Sequence, residues 1–312
     1  IEKFIMNKSF LDILVYPEIF SQLSGKSFCN KSVGSLSWLK VGGSAEYLYI
    51  PSNEEDLSLL LGSLHDEINL HIFGKLSNTL IRDGGISGLT ILIPSSFCGI
   101  ELVSDTKLQV GSGVSDKVLA NRCLSLGIGG MEFLSGIPGS IGGGVFMNAG
   151  SFGSEFKDIV LEVNFISKSG KKIIKKRDEI DFGYRKTNLC DNMIITSVLM
   201  EGFLKDSFDI KEIMKDINLQ RTLSQPQGRP TGGSTFKNTK NYKAWELINK
   251  SGMSKAYCGE AIVSNVHSNF LINKGKATAK DFENLGNMII EEVKNELGIL
   301  LEWEIQIVGD NE

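Results

Sequence analysis

Histidine, cysteine and proline are scarce in this sequence of 312 residues, at 3, 5 and 6 residues respectively. His65, His71 and His267 are the whole histidine inventory, and no aspartate is spaced to orient one of them beside a serine, so a Ser-His-Asp hydrolytic relay has little to stand on. Cys29, Cys98, Cys123, Cys190 and Cys258 form no CxxC pair and show no metal-ligand spacing. Reduced thiols fit that scatter better than a disulfide framework or a structural zinc, and no metal is expected. No apolar run approaches the roughly 20 residues needed to span a bilayer, and the start has no continuous signal-peptide core. A cytoplasmic location without membrane insertion is the expectation. The opening Ile1–Met6 lacks an initiator methionine at its first position, which suggests that residues precede it. Neither sign of charge dominates: 33 basic residues against 37 acidic leave a formal charge of -4, which removes the global electrostatic case for nucleic acid. A small anion held by local donors stays compatible with that balance.

Glycine is what the chain has in quantity, with 34 residues, and such a ratio to proline favours tight turns inside a folded protein over an extended linker. At about 150 residues per domain, two or three domains are expected. Ser52 is placed to cap a helix with Glu55 at the reciprocal position, and Leu57, Leu60, Leu61 and Leu64 give that helix an apolar stripe. A strand through Ile68, Leu70 and Ile72 follows, and a second helix runs from Asp116 to Leu126, ending at Gly127. Residues 161–165 alternate as a strand, with a turn at 168–171 leading back through Ile173. The lysines from 168 to 177 suit either an anion site or a solvated edge hairpin, and the edge is the better-founded reading because edge lysines discourage mispairing. A late helix spans Thr278 to Leu297 with Asp281 at the capping-box position and Gly298 as its stop. The alternation of 301–307 predicts a terminal strand with Leu301, Trp303, Ile305 and Ile307 on one face and Glu302, Glu304 and Gln306 on the other. The mixture is α+β and lacks the βα regularity of a barrel.

Three constellations can carry chemistry. Gly74-Lys75-Leu76-Ser77-Asn78 with Arg82-Asp83-Gly84-Gly85 can offer backbone amides and hydroxyls to phosphate or sugar oxygens, or serve only as a strand-turn-strand; it is neither a Walker loop nor GxGxxG. Between Gly127 and Gly153 the chain is too glycine-rich for an ordinary helix and too apolar for a linker, which predicts a closely approached loop system. Within it, Gly136-Ile137-Pro138-Gly139-Ser140-Ile141-Gly142-Gly143-Gly144 can bring main-chain N–H groups onto a pyrophosphate, with Asn148 and Ser151 adding polar contacts. A tight packing crossover is the alternative. The third, Gly232-Gly233-Ser234-Thr235-Phe236-Lys237-Asn238, places a serine able to give a proton beside polar groups able to orient a substrate, or merely forms a turn. Arg185, after Tyr184, presents a guanidinium fork suited to a carboxylate or an enolate, or anchors a surface strand; Glu304 can exchange a proton if enclosed, or is simply solvated.

In their order and spacing these segments resemble the UDP-N-acetylenolpyruvoylglucosamine reductase family. The likeness runs from Leu39-Lys40-Val41-Gly42-Gly43-Ser44-Ala45 to Leu301-Glu302-Trp303-Glu304-Ile305 and is most specific at Ser77-Asn78 through Gly85, at 130–143 and at 233–238. It implies two subdomains that grip FAD in the vanillyl-alcohol-oxidase (PCMH) manner, residues 15–95 and 96–206, and a C-terminal α+β substrate-binding domain, 207–312. The absence of a long insertion after Tyr184-Arg185 places it nearer the short, type II branch. The implied reaction is NADPH-driven reduction of UDP-N-acetylglucosamine enolpyruvate to UDP-N-acetylmuramate, with Ser234 as proton donor and Arg185 and Glu304 beside it. FAD contacts are implied for Gly74, Ser77, Asn78, Gly84, Gly111, Gly113, Gly136, Gly139, Ser140, Ile141, Gly142 and Gly143, and substrate or nicotinamide contacts for Tyr184, Lys237 and Asn238. The chain departs from the family at Lys75-Leu76, at Thr239 and at Trp303, the last two standing where proline is frequent. Another FAD oxidoreductase with the same cradle and a non-catalytic nucleotide-binding scaffold are the competing readings. A monomer is expected, since no coiled-coil face or evident interface is visible.

Overall fold

The computed structural model describes residues 8–189 and 193–311; Cys190 and the opening Ile1–Met6 lie outside the described residues. The chain forms two compact units, each discontinuous in sequence: Ile1–Lys31, Glu46–Lys75 and Gly88–Leu219 make the first, and Ser32–Ala45, Leu76–Ser87 and Gln220–Glu312 the second. Among the described residues no helix is long and apolar enough to cross a membrane.

In the first unit, Leu70–Phe73 pairs in parallel with residues 89–92, Leu70 opposite Leu89 and Phe73 opposite Leu92. A second, antiparallel sheet has the order Lys172–Lys176, Val160–Ser167, Met193–Glu201, Lys107–Gly111, Ile100–Leu102. Val110, Val163, Phe165 and Val198 bury one of its faces in a core shared with Leu119, Ala120 and Cys123 of the helix Asp116–Leu126. That helix has the predicted bounds, and Gly127 ends it in the left-handed conformation at φ 67°. The lysine-rich strand Lys172–Lys176 is an outer strand whose residues alternate between exposed and half-buried, as an edge hairpin requires.

Two local expectations are corrected here. The helix Glu54–Leu61 is capped by Asn53, whose Oδ1 accepts the Asp56 amide at 2.9 Å. Ser52 is not the cap; its own amide donates to the buried Asp56 carboxylate, which also accepts from Ser24 N and the Tyr49 hydroxyl. The glycine run, expected as loop, contains a 3-10 turn Glu132–Gly136 and an α-helix Ile141–Phe146. Helical geometry prevails over the poor propensity of glycine because the helix must lie against its neighbours: a Cβ on Gly144 would overlap the Phe156 ring, and one on Gly142 would lie 2.8 Å from Ser112 Cβ.

The second unit is built on the antiparallel sheet Thr231–Ser234, Phe270–Asn273, Ala261–Val263, Tyr257–Cys258. The helix Ala279–Leu297 contributes Phe282, Leu285, Ile289 and Val293 to a core with Leu39, Val41, Leu80, Phe236 and Ile305. Its capping box between Thr278 and Asp281 and its stop at Gly298 are as predicted. Asp83 adds a second cap, accepting the Ala279 and Lys280 amides at 3.0 Å. The terminal strand is shorter than expected: only Gln306–Val308 is a strand, parallel to Thr79–Ile81, while 301–305 makes an isolated bridge outside the sheet, Trp303 to Phe236. The alternation survives in burial, Leu301 and Ile305 being buried and Glu302 and Gln306 exposed. It therefore recorded which side faced the core, which an irregular extended chain does as well as a strand.

Candidate active site

Three structures carry the candidate residues. The first is a cradle in the first unit, where the turns 111–116 and 139–142 run side by side: Ser115 and Ser140 form a bridge, Ile141 N donates to Val114 O at 2.9 Å and Gly142 N to Ser112 O at 2.8 Å. Gly74 approaches so closely that a Cβ would overlap the Ser140 hydroxyl. Gly111 and Gly113 are glycines because the carbonyls of Phe97 and Pro94 occupy the Cβ position. Gly136 is buried against Ile217, Phe152 and Ser151. The amides of Ile141 and Gly142 are thus consumed within the protein. The exposed Gly143, by contrast, has an amide with no protein acceptor among the described residues, and the Ser112 hydroxyl is buried without a partner. Asp116 is fully buried, both carboxyl oxygens lack hydrogen bonds, and burial pushes its pKa well above the usual carboxylate range against a weaker opposing pull from Lys75.

The second is a hairpin in the same unit. Phe182–Gly183 and Lys186–Thr187 pair across a two-residue turn, Tyr184-Arg185, with Arg185 at φ 55°. The guanidinium donates to Gly150 O at 2.9 Å and lies 5.1 Å from the Tyr184 ring centroid. Thr187 Oγ1 donates to Phe146 O at 2.8 Å, and Asn148 Nδ2 to Gly183 O at 3.0 Å. Neither Asn148 nor Ser151 is available as an outward polar contact: Asn148 is fully buried and Ser151 Oγ donates to Phe133 O at 2.9 Å.

The third is a loop in the second unit. Thr231–Ser234 pairs with Phe270–Asn273 through a bulge that contains Gly233 at φ 81° and ends with Ser234 opposite Phe270. Asn269, buried at the neck of the loop, accepts Phe236 N at 2.9 Å and donates to Phe236 O at 2.9 Å. Half-buried Ser234 therefore sits on a fixed backbone, and its hydroxyl makes no hydrogen bond among the described residues. Glu304 is brought to the same loop, its amide donating to Thr235 O at 2.8 Å. Glu302 points elsewhere: 72% exposed, its carboxylate lies 3.4 Å from the Lys237 ammonium. Asn238 Oδ1 accepts the first amide of the helix Ala244–Lys250 at 2.9 Å. Asn78 Nδ2 donates to Glu304 O at 3.0 Å, while Gly84 abuts the carbonyls of Asp310 and Asn311. Half-buried Ser77 follows Leu76, which has φ 51°.

Sequence reasoning missed a cavity of about 490 Å³ in the second unit, lined by Trp245, Asn249, Lys255 and His267 among others. Burial holds the His267 pKa below its usual value, so a neutral imidazole faces the space. A signal existed in the aromatic and polar residues at 245–249 and 264–268, yet their spacing matches no short motif.

Residues 45–174 match the family described as FAD binding domain, which defines the class: an α+β flavin-binding fold. Residues 225–308 match the C-terminal domain of UDP-N-acetylenolpyruvoylglucosamine reductase. The reductase of Orientia tsutsugamushi (strain Ikeda) is 43% identical over 291 residues, 92% of this chain and 96% of the relative. That of Rickettsia rickettsii (strain Sheila Smith) is 45% identical over 274 residues, 88% and 92% of the two chains. The crystal structure of the Thermus caldophilus reductase superposes with a TM-score of 0.79 at 29% identity, covering 91% of this chain and 99% of that one. The chain belongs to the UDP-N-acetylenolpyruvoylglucosamine reductase family.

Proposed function

We propose that this chain reduces UDP-N-acetylglucosamine enolpyruvate to UDP-N-acetylmuramate at the expense of NADPH. The observation that carries the reading is the union in one chain of a flavin-binding fold with the reductase C-terminal domain, in which Ser234 holds an uncommitted hydroxyl on a rigid loop. FAD suits the cradle on the chemistry of its donors: the Gly143 amide and the Ser112 and Ser140 hydroxyls can meet a pyrophosphate, and glycine at 74 leaves that last hydroxyl its place. When bound, FAD supplies the hydride that passes from NADPH to C3 of the enolpyruvyl group.

The protein's own part is charge and proton control. The Arg185 fork binds the enolpyruvyl carboxylate and favours the negative charge that spreads onto it as C3 is reduced. Ser234 delivers a proton to C2, completing addition of two hydrogens across the double bond, and Glu304 adjusts the charge around that hydroxyl. Tyr184 of the first unit, and Lys237 and Asn238 of the second, are each assigned to substrate or nicotinamide contacts, and the cavity walled by Trp245, Lys255 and His267 takes the nucleotide half, the ring stacking and the ammonium meeting phosphate. The enzyme acts in the cytoplasm as a monomer.

Anaerobic stopped-flow absorbance tests the reading. NADPH bleaches the bound flavin, and addition of the enolpyruvyl sugar restores the oxidised spectrum. Bleaching without substrate-dependent recovery would leave a flavoprotein but overturn the reaction.

A further inference from the structure

The Arg185 hairpin is short, Tyr184 in its turn and Lys186 in its second strand are exposed, and Arg185 sits in a backbone region that non-glycine residues seldom adopt. Two strand residues on each side cannot by themselves hold a long side chain to one position. What anchors the hairpin lies directly after the glycine helix. Asn148 is fully buried at φ 44°, and every polar atom of its side chain is in use. Nδ2 donates to Gly183 O, two residues before the arginine, at 3.0 Å, and to Glu155 Oε2 at 2.6 Å; Oδ1 accepts Lys157 N at 3.0 Å. Glu155 is paired in turn with Lys157 and lies opposite Gly150, whose carbonyl receives the Arg185 guanidinium. One carboxamide thus ties the hairpin to the strand pair that carries the guanidinium's own acceptor.

We propose that Asn148 is a positioning residue for Arg185, setting the guanidinium by fixing the backbone on both sides of its anchor. It touches neither substrate nor reacting atoms. The buried carboxamide is suited to this because its two N–H donors and its oxygen are presented in one plane, so it can satisfy two acceptors and a donor on three segments at once. A shift of about 1 Å at such a group can cost on the order of 100-fold in rate. The inference rests on the reading that Arg185 acts on the enolpyruvyl carboxylate.

The test is a double-mutant cycle in the full chain loaded with FAD. Asn148→Gly tolerates the positive φ and removes the carboxamide; Asn148→Asp keeps the shape but leaves at most one O–H donor for the two acceptors. Flavin content and FAD affinity, read by flavin fluorescence, stay within about twofold of the parent, as does the rate of bleaching by NADPH. Recovery of the oxidised spectrum with the enolpyruvyl sugar slows by on the order of 100-fold. In the Arg185→Ala background the same substitutions slow recovery no further. Additive losses in the double variants would overturn the proposal, as would loss of FAD or equal slowing of both half-reactions. If Asn148→Gly fails to fold, the aspartate variant decides alone. Failure of the underlying reading is distinguishable: the parent enzyme would not recover with this sugar, or Arg185→Ala would recover at the parental rate.

Discussion

The Glu304 amide donates to the carbonyl of Thr235 at 2.8 Å, which places the backbone of the candidate carboxylate one residue from Ser234. Glu302, two positions earlier on the same alternating segment, is exposed and instead spent on the half-buried Lys237 ammonium. Ser234→Ala should therefore leave flavin bleaching by NADPH intact and slow recovery with the enolpyruvyl sugar by 10²–10⁴-fold, the range of a positioned proton donor. Glu304→Gln should slow the same phase, while Glu302→Gln should change neither half-reaction. A variant of Glu302 as damaging as one of Glu304 would reverse the assignment.

Gly74 and Ser140 give a test of the cradle. A Cβ at Gly74 meets the Ser140 hydroxyl, which can rotate away, and lies 3.2 Å from Ser140 Cβ, which need yield only slightly, so Gly74→Ala should cost little thermal stability. What it removes is one hydroxyl from the anion site, worth about 1 kcal/mol or several-fold in FAD affinity. Fluorescence titration should show that loss, and Ser140→Ala should add little to it. Independent, multiplying losses would mean that Ser140 is not the group displaced.

Asp116 links stability to pH. Its folded pKa is raised by burial, so the neutral acid is the form the native state accepts. Stability from this site is fully present below the unfolded value of 3.8 and is lost as pH rises through the folded value. Asp116→Asn removes the titration. Denaturant unfolding should show the substitution gaining on the parent as pH rises from 4 to 8, by on the order of 1–3 kcal/mol. A constant difference across that range would show that the carboxyl finds a partner when ionised.

Gly286 lies inside the helix Ala279–Leu297, where alanine would ordinarily gain about 1 kcal/mol. Here a Cβ would overlap the Trp303 indole, itself held 5.2 Å from the Phe236 ring. A rigid ring cannot rotate clear as a hydroxyl can, and overpacking costs about 1–3 kcal/mol, so Gly286→Ala should destabilise. In a Trp303→Leu background the sign should turn, because the space is vacated. Stabilisation in the parent would show that the indole has room to move.

Much of the fold is legible in the sequence because it is set by local chemistry. The helices at 116–126 and 279–297 announce themselves through left-handed glycine stops, the second through its capping box as well, and these signals operate within one turn. The edge hairpin at 160–176 was legible because strand polarity and lysine placement answer to the same solvent. The glycine run misled, since glycine's propensity predicts loop while the Phe156 ring and Ser112 demanded a helix without side chains. Ser52 and Asn53 are both good caps; the choice fell on Asn53 because Asp56 already holds the Ser52 amide. Asn148 read as a ligand contact because an asparagine beside glycines resembles one, and only its burial turns it inward.

The sequence by itself determined the family, the order of cradle, arginine, serine loop and terminal carboxylate, and the ends of the long helices, because each depends on residues close together in the chain. Tertiary structure decided which chain segments group into each unit, which of two neighbouring glutamates is bound to a lysine, and that Asn148 braces the arginine hairpin. Those outcomes depend on partners far away in sequence, and a buried polar group takes its role from whichever of them reaches it first with a donor or acceptor.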